Sequence, residues 1–242
     1  MTIVVLPISG SVNGNWVTLH PTLVQFNNKN YLIDCGYQET FGELVNQLEK
    51  QGVGVADLHA ILISHDDIDH LGALKLFKEA NPELLVYCSR VEADSVCGAV
   101  KSERLKQAEA LVAQLPAEHN DWGLRFVDEL QRIQRVRVDG QLADNDRIEE
   151  QLIVVATPGH TKGHLSFYAP AQLTLIASDA VVLVDGQLEI ANPQFTLDLK
   201  QAVESVQKLL ALPLNRLICY HGGALTVHIH RQLSTLVAKY ST

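Results

Sequence analysis

Four short apolar runs, each followed at once by histidine or aspartate, constrain this chain more than any other feature. Residues 60–63 (Ala-Ile-Leu-Ile) lead into Ser64-His65-Asp66-Asp67-Ile68-Asp69-His70. Leu152–Ala156 leads into Thr157-Pro158-Gly159-His160-Thr161-Lys162-Gly163-His164. Residues 173–177 lead to Ser178-Asp179, and residues 217–220 to His221-Gly222-Gly223. Short apolar runs of this kind read as buried strands, and a sheet holds the loops at its strand ends rigidly enough to build a site. In an extended segment, residues two apart project to one side, so His65, Asp67 and Asp69 converge. His70 then supplies a second direction from the start of a helix. Imidazole and carboxylate are the usual ligands of zinc, iron and manganese. Three carboxylates in one small space repel each other, and a pair of divalent cations resolves the conflict. Any one piece alone is what a solvated acidic loop or a plain turn produces; the set, in this order and behind strands, points to metal chemistry.

The remainder predicts one α/β domain over residues 1–242. Residues 2–8, Thr22–Phe26 and residues 31–34 read as strands, the last two joined by the turn Asn27-Asn28-Lys29-Asn30. A helix is expected over 41–51, where Phe41, Leu44, Val45 and Leu48 share a face, and another over 71–80, stopped by Asn81-Pro82. Residues 84–88 form a strand. From 89 to about 131 the chain turns rich in Ala, Glu, Lys and Gln. Leu105, Ala108, Leu111, Val112 and Leu115 are there spaced for one helix face, which predicts a helical insertion whose polar side is a candidate lid. Strands are expected at 135–138, Leu152–Ala156, 165–168, 173–177, 181–184 and 217–220, with a helix over 197–211 and another at the C-terminus.

The net charge of −9, with no lysine or arginine cluster, argues against nucleic acid. No stretch approaches the ~18 apolar residues of a membrane span, and residues 1–7 lack the basic start of an export signal. Cys35, Cys88, Cys97 and Cys219 show no Cys-x-x-Cys spacing and read as free thiols. The expectation is a reduced, cytoplasmic protein acting on a small molecule.

These residues resemble the metallo-β-lactamase superfamily, whose signature is His-x-His-x-Asp-His, a Gly-His-Thr turn, an Asp and a late His. The pattern here is His65-x-Asp67-x-Asp69-His70, Gly159-His160-Thr161, Asp179 and His221. Residues 31–36 (Tyr-Leu-Ile-Asp-Cys-Gly) are similar to the family's early Leu-Ile-Asp-x-Gly, where Asp34 would support a metal ligand. The resemblance runs from about residue 22 to 223. It implies an αββα sandwich with a dinuclear site at one edge. Carried over by position, it implies that His65, Asp67 and His160 hold one metal, that Asp69, His70 and His221 hold the other, and that Asp179 bridges them.

The departure is Asp67, where most relatives have histidine, although carboxylates stand there in some bacterial hydrolases and diiron members. Three ionised carboxylates and a bridging hydroxide neutralise two divalent ions, whereas histidine at 67 would leave one positive charge over. Zinc is expected, with iron or manganese next because oxygen ligands suit harder ions. The implied activity is a metal-dependent hydrolase whose metal-bridging hydroxide attacks an ester, lactone or thioester, with catalytic Asp69 passing the proton to the leaving group. The alternatives are a phosphodiesterase of the same fold, a diiron redox protein and a non-catalytic metal-binding protein. The absence of a basic groove favours the carboxylic substrates.

Other polar residues carry weaker expectations. His164 is either a support for a ligand or a core histidine. Asp66 and Lys162 should face solvent, and Tyr220 should point away from its neighbour His221 into the core. His59, His119, His228 and His230 lack strand-end context, and His20 reads as part of a surface turn.

Overall fold

A computed structural model describes residues 1–116 and 121–240, so His119 lies outside the described residues. The first half runs β1 (Thr2–Val5), β2 (Ile8–Val12), β3 (Asn15–Leu19), β4 (Thr22–Phe26), β5 (Lys29–Ile33), α1 (Phe41–Glu49), β6 (Leu58–Leu62), α2 (Ile68–Leu71), α3 (Leu74–Ala80) and β7 (Leu85–Ser89). Helices α4 (Ala93–Val96), α5 (Glu103–Gln114) and α6 (Asp121–Arg132) follow, then β8 (Gly140–Leu142) and β9 (Arg147–Ile148). The second half is β10 (Leu152–Ala156), β11 (Leu165–Ala169), β12 (Thr174–Ser178), β13 (Val182–Val184), β14 (Gln187–Glu189), α7 (Leu199–Leu210), β15 (Arg216–Cys219), β16 (Gly223–Leu225) and α8 (Ile229–Tyr240).

Two six-stranded sheets result, ordered β1-β4-β5-β6-β7-β8 and β16-β15-β12-β11-β10-β9. In the first, β5 through β8 are parallel; in the second, only β12 and β15 are. Strands that are apolar on both faces need cover on both sides, and the alternation shows where each face goes. Val24, Tyr31, Ile33, Ala60 and Leu62 of the first sheet meet Leu152, Val154, Phe167, Ile176 and Ile218 of the second. The intervening Leu23, Leu32, Ile61 and Val86 pack under α1 and α3, against Leu44, Leu48 and Phe77. Ile153, Val155, Leu175 and Leu217 pack under α7 and α8, against Val206, Leu209 and Leu233. The layers are therefore helix, sheet, sheet, helix, the expected αββα sandwich.

Several expectations need correction. The 2–8 run breaks at Pro7, which has no N–H to give a ladder. The chain instead reverses into the β2–β3 hairpin, which the sequence reading missed, as it did β14 and β16. The 71–80 helix begins earlier and splits, because the Ala73 N–H donates to Gly36 O at 2.9 Å rather than to the preceding turn. Residues 135–138 form no strand. Val136 is buried with Val138 packed beside it under the first sheet, which produces the alternation. Sheet pairing begins only after Asp139, whose N–H donates to Val86 O at 2.8 Å. The 89–131 segment is helical, as expected: its described residues form α4, α5 and α6, but Leu111, placed on the buried stripe, is exposed.

Candidate metal centre

All seven residues of the expected set come together at one edge of the sandwich. β6 ends at Leu62, and a loop with bends at Ser64 and Asp66 leads to Asp67, the residue before α2, the helix that carries Asp69 and His70. β10 leads to His160 through Gly159, whose φ of +135° suits glycine and where a Cβ would strike the Ala202 backbone. β12 presents Asp179 and β15 presents His221.

Two groups of ligand-type atoms form, His65 with Asp67 and His160, and Asp69 with His70, Asp179 and His221. In the first, Asp67 Oδ2 lies 3.2 Å from His160 Nε2 and 3.5 Å from His65 Nε2. In the second, Asp69 Oδ2 is 3.1 Å from His221 Nε2 and 3.5 Å from His70 Nε2. Asp179 Oδ2 stands between them, 3.4 Å from His221 Nε2, 3.5 Å from His70 Nε2 and 3.7 Å from His160 Nε2. Asp69, buried among like charges, is held below the usual carboxylate range by His70 and His221, which overcome the cost of burial. Burial alone would lower the His221 imidazole, but Asp179 and Asp69 raise it to about 10.

The hydrogen bonds behind the cluster assign the ring protons. Asp34 Oδ2 accepts from Ser64 Oγ at 2.8 Å and Ser178 Oγ at 3.1 Å, and it lies 2.9 Å from His70 Nδ1. His70 therefore carries its proton on Nδ1. Ser64 Oγ, having donated, accepts from His65 Nδ1 at 2.9 Å. Both histidines turn Nε2 toward the carboxylates, and these two nitrogens and Asp179 Oδ1 are buried without a hydrogen-bond partner. Burial would lower the His70 imidazole, but Asp69, Asp34 and Asp179 raise it well above its ordinary value, so the carboxylates draw positive charge to this side of the ring and a divalent cation among them is what the donor set fits.

His164 stands behind the site. Its Nε2 accepts the Asp179 backbone N–H at 3.1 Å, which puts the ring proton on Nδ1, 2.8 Å from Thr157 Oγ1. It thus supports the strand end that presents Asp179.

Asp66 is buried rather than solvated. Its N–H donates to Glu92 Oε2 at 2.9 Å, while Glu92 Oε1 accepts from Gly163 N at 2.8 Å. Glu92 thus ties the loop of His65 to the loop of His160. Its burial, with Asp66 adding to it, pushes its carboxyl up to about 8.

Tyr220 is buried in the core, as expected, and there it also backs the cluster. Its ring lies 3.9 Å from that of His70, and its hydroxyl donates to Asp69 O at 2.7 Å. Lys162 pairs with Glu103 at 2.9 Å at the surface. His20 Nδ1 lies 3.0 Å from Tyr220 O, and His59 packs edge-on to Tyr31, away from the cluster. His230 Nε2 is 2.8 Å from Leu212 O. The four cysteines are free.

The residue that sequence reasoning missed is Arg104, buried at the start of α5. Its Nε and Nη2 donate to the two oxygens of Asp67 at 2.9 and 2.7 Å, and Nη1 donates to Phe195 O at 2.6 Å and Gln107 Oε1 at 3.0 Å. Burial would raise the Asp67 carboxyl; Arg104, with His160 and His65, holds it well below its ordinary range. One signal was available, since Arg104 sits four residues before Ala108, on the stripe read as core. The cluster forms the floor of a cavity of about 460 Å³ walled by Tyr37, Ile68, Phe126, Leu130, Val182 and Ile190. Helix α6 supplies Phe126 and Leu130, so the 89–131 segment borders the cavity.

A family model describing the metallo-β-lactamase superfamily matches residues 17–221. The chain belongs to the metallo-β-lactamase superfamily. "Probable metallo-hydrolase YflN" of Bacillus subtilis is 29% identical over 81% of this chain and 76% of its own length. A hydroxyacylglutathione hydrolase of Edwardsiella ictaluri is 26% identical over 66% of this chain, which spans 46% of that relative's length. Among solved structures, a metallo-β-lactamase family protein of Thermus thermophilus superposes with a TM-score of 0.75, at 21% identity over 98% of this chain and 79% of that one. A metallo-β-lactamase from Pontibacter korlensis gives 0.67, at 18% identity over 98% and 94%. Among the described residues, no helix of this superfamily member is long and apolar enough to cross a membrane.

Proposed function

We propose that this chain is a dinuclear metal-dependent hydrolase of carboxylic esters, lactones or thioesters, its residues 1–242 acting as one domain. One observation carries the reading: seven imidazole and carboxylate groups gather in two adjoining clusters, and five of them, Asp67, Asp69, His160, Asp179 and His221, line a cavity whose other walls are largely apolar side chains. His65, Asp67 and His160 would hold one divalent ion, Asp69, His70 and His221 the other, with Asp179 between them. Zinc is the first candidate, and iron or manganese the next. Bound there, the ions supply a Lewis acid and lower the pKa of water toward neutrality.

The rest falls to the chain. Asp69 takes the proton of the attacking water and returns it to the departing alcohol or thiol, so one water cleaves one acyl bond. Ile68, Phe126 and Leu130 receive the apolar part of the substrate and keep bulk water out. Arg104 is the one Lys or Arg among the described lining residues, and its donors are committed to Asp67, Phe195 and Gln107. A phosphodiester therefore finds no free side-chain cation, which favours a neutral acyl substrate. YflN bears a metallo-hydrolase name and the Edwardsiella protein is a thioester hydrolase by name, which fits the acyl class.

The test measures turnover of an aryl ester, an aryl thioester and a bis-aryl phosphate, with protein loaded with zinc, manganese or iron(II) and with chelated protein. We expect acyl hydrolysis that needs metal and falls with Phe126→Ala more for a long-chain than for an acetyl ester. Faster turnover of the phosphodiester, or none of any substrate in the loaded protein, overturns the reading.

A further inference from the structure

Asp67 puts a third carboxylate where the superfamily's usual motif has a neutral histidine, and Arg104 meets it with a buried, two-point grip. Nε donates to Asp67 Oδ1 at 2.9 Å and Nη2 to Oδ2 at 2.7 Å. The guanidinium is itself fixed from behind by Phe195 O, at 2.6 Å from Nη1, and by the Phe195 ring, 5.4 Å from its central carbon. Paired contacts of this kind fix orientation as well as charge. They hold Asp67 so that Oδ2 also faces His160 Nε2 at 3.2 Å and His65 Nε2 at 3.5 Å. All three kinds of guanidinium nitrogen are engaged within the protein, which leaves Arg104 poorly placed to bind a substrate anion.

Charge counting gives the grip its meaning. Asp67 with Arg104 sums to zero, as a neutral histidine does, so the site holds two uncompensated carboxylates, Asp69 and Asp179, in either arrangement. We propose that Arg104 is a positioning residue of the first metal subsite, and that the Asp67–Arg104 pair is a neutral substitute for histidine. The idea rests on the proposed two-ion reading. It removes the charge-based reason for preferring iron or manganese and leaves only the exchange of a nitrogen donor for oxygen. It also makes occupancy of the first subsite depend on α5, a helix outside the metal-binding loops.

A second consequence is that restoring the common motif is harmful by itself. Asp67→His strands a buried guanidinium beside the first subsite, where it repels a divalent ion. The experiment measures ion content by elemental analysis and affinity by calorimetry, with zinc and with manganese. The proteins compared are the unaltered chain, Asp67→His and Asp67→His/Arg104→Met, with melting curves to check folding. The unaltered chain should bind two ions. The single variant should lose the first-subsite ion or bind it on the order of 10–100-fold more weakly. The double variant should recover it, although it lacks one more native contact.

Asp67→Asn with and without Arg104→Met repeats the comparison with an isosteric side chain, should imidazole prove too large. A purely structural arginine would make each double variant worse than its single. If removal of Arg104 restores the ion in neither background, or if Asp67→His binds both ions as tightly as the unaltered chain, the proposal is overturned. Absence of ions from the unaltered chain overturns this proposal and the two-ion reading together, whereas two ions in it with no rescue overturns this one alone.

Discussion

Asp179 adjoins both proposed subsites, its Oδ2 lying within 3.7 Å of the Nε2 atoms of His70, His160 and His221. Its place is fixed from two sides, by the His164 ring that accepts its N–H and by the sharp chain at Ser178, which has a positive φ of 47°. Asp179→Ala should therefore drop ion content from two to below one per chain. His59→Ala, in a ring contact with Tyr31 far from the cluster, should leave it unchanged. Elemental analysis after dialysis against zinc reads both, and full occupancy in Asp179→Ala would remove it as the bridge. Asp34 acts one step behind, turning the protons of Ser64, Ser178 and His70 Nδ1 toward itself, so that His70 presents Nε2 to the cluster.

At the scale of elements, the site is an arrangement of loop ends that must be kept in register, and Glu92 is the strap. It follows β7, and its two oxygens accept N–H groups from the His65 loop and the His160 loop, one from each half of the sandwich. Replacing it with alanine leaves both buried N–H groups unpaired, at about 1–3 kcal/mol each, and frees the two loops to drift. Glu92→Ala should lower the melting temperature and weaken the first-subsite ion on the order of 10–100-fold, the usual range for groups behind a ligand. Calorimetric titration decides: an unaltered affinity with a lowered melting temperature would make Glu92 a stabilising contact only. Helices α5 and α6 act from the other side, where Leu105, Ala108 and Leu130 pack together with Ile68 of α2 beside them. That packing brings Arg104 to the floor of the cavity and Phe126 to its wall.

For the whole molecule, the cluster spans the two sheets. His65, Asp67, Asp69 and His70 belong to the chain after β6, while His160, Asp179 and His221 follow β10, β12 and β15. Ions held between them, as proposed, would join the halves and so stabilise the folded state alone. A ligand at 100 times its Kd adds about 2.7 kcal/mol, which in a chain of this size raises the melting temperature by roughly 5–10 °C per ion. With two ions bound, chelated and zinc-reloaded protein should differ by roughly 10–20 °C in a scanning calorimeter. Equal melting temperatures would mean that no ion bridges the sheets.

The sequence by itself determined the layers and the seven residues that cluster at the edge of the sandwich. Period-two alternation with apolar residues on both faces is a local property, and so is a His or Asp placed directly after a strand. Leu152–Ala156 and Thr22–Phe26 were legible to the residue for that reason, and the seven cluster residues were legible from four strand ends. What only tertiary structure decided depends on partners distant in the chain. Asp66 looked solvated because nothing nearby in sequence announces Glu92, and residues 135–138 looked like a strand because a buried side alternates whether or not its backbone is paired. Tyr220 was rightly placed in the core, but alternation gives its side and not its neighbour, the His70 ring brought there by the other half of the chain. Arg104 lies 37 residues from Asp67, on a helix whose periodicity shows a buried face without showing what it is buried against. The charge of the site was for that reason misread from the motif, since the compensating cation arrives only when α5 folds onto α2.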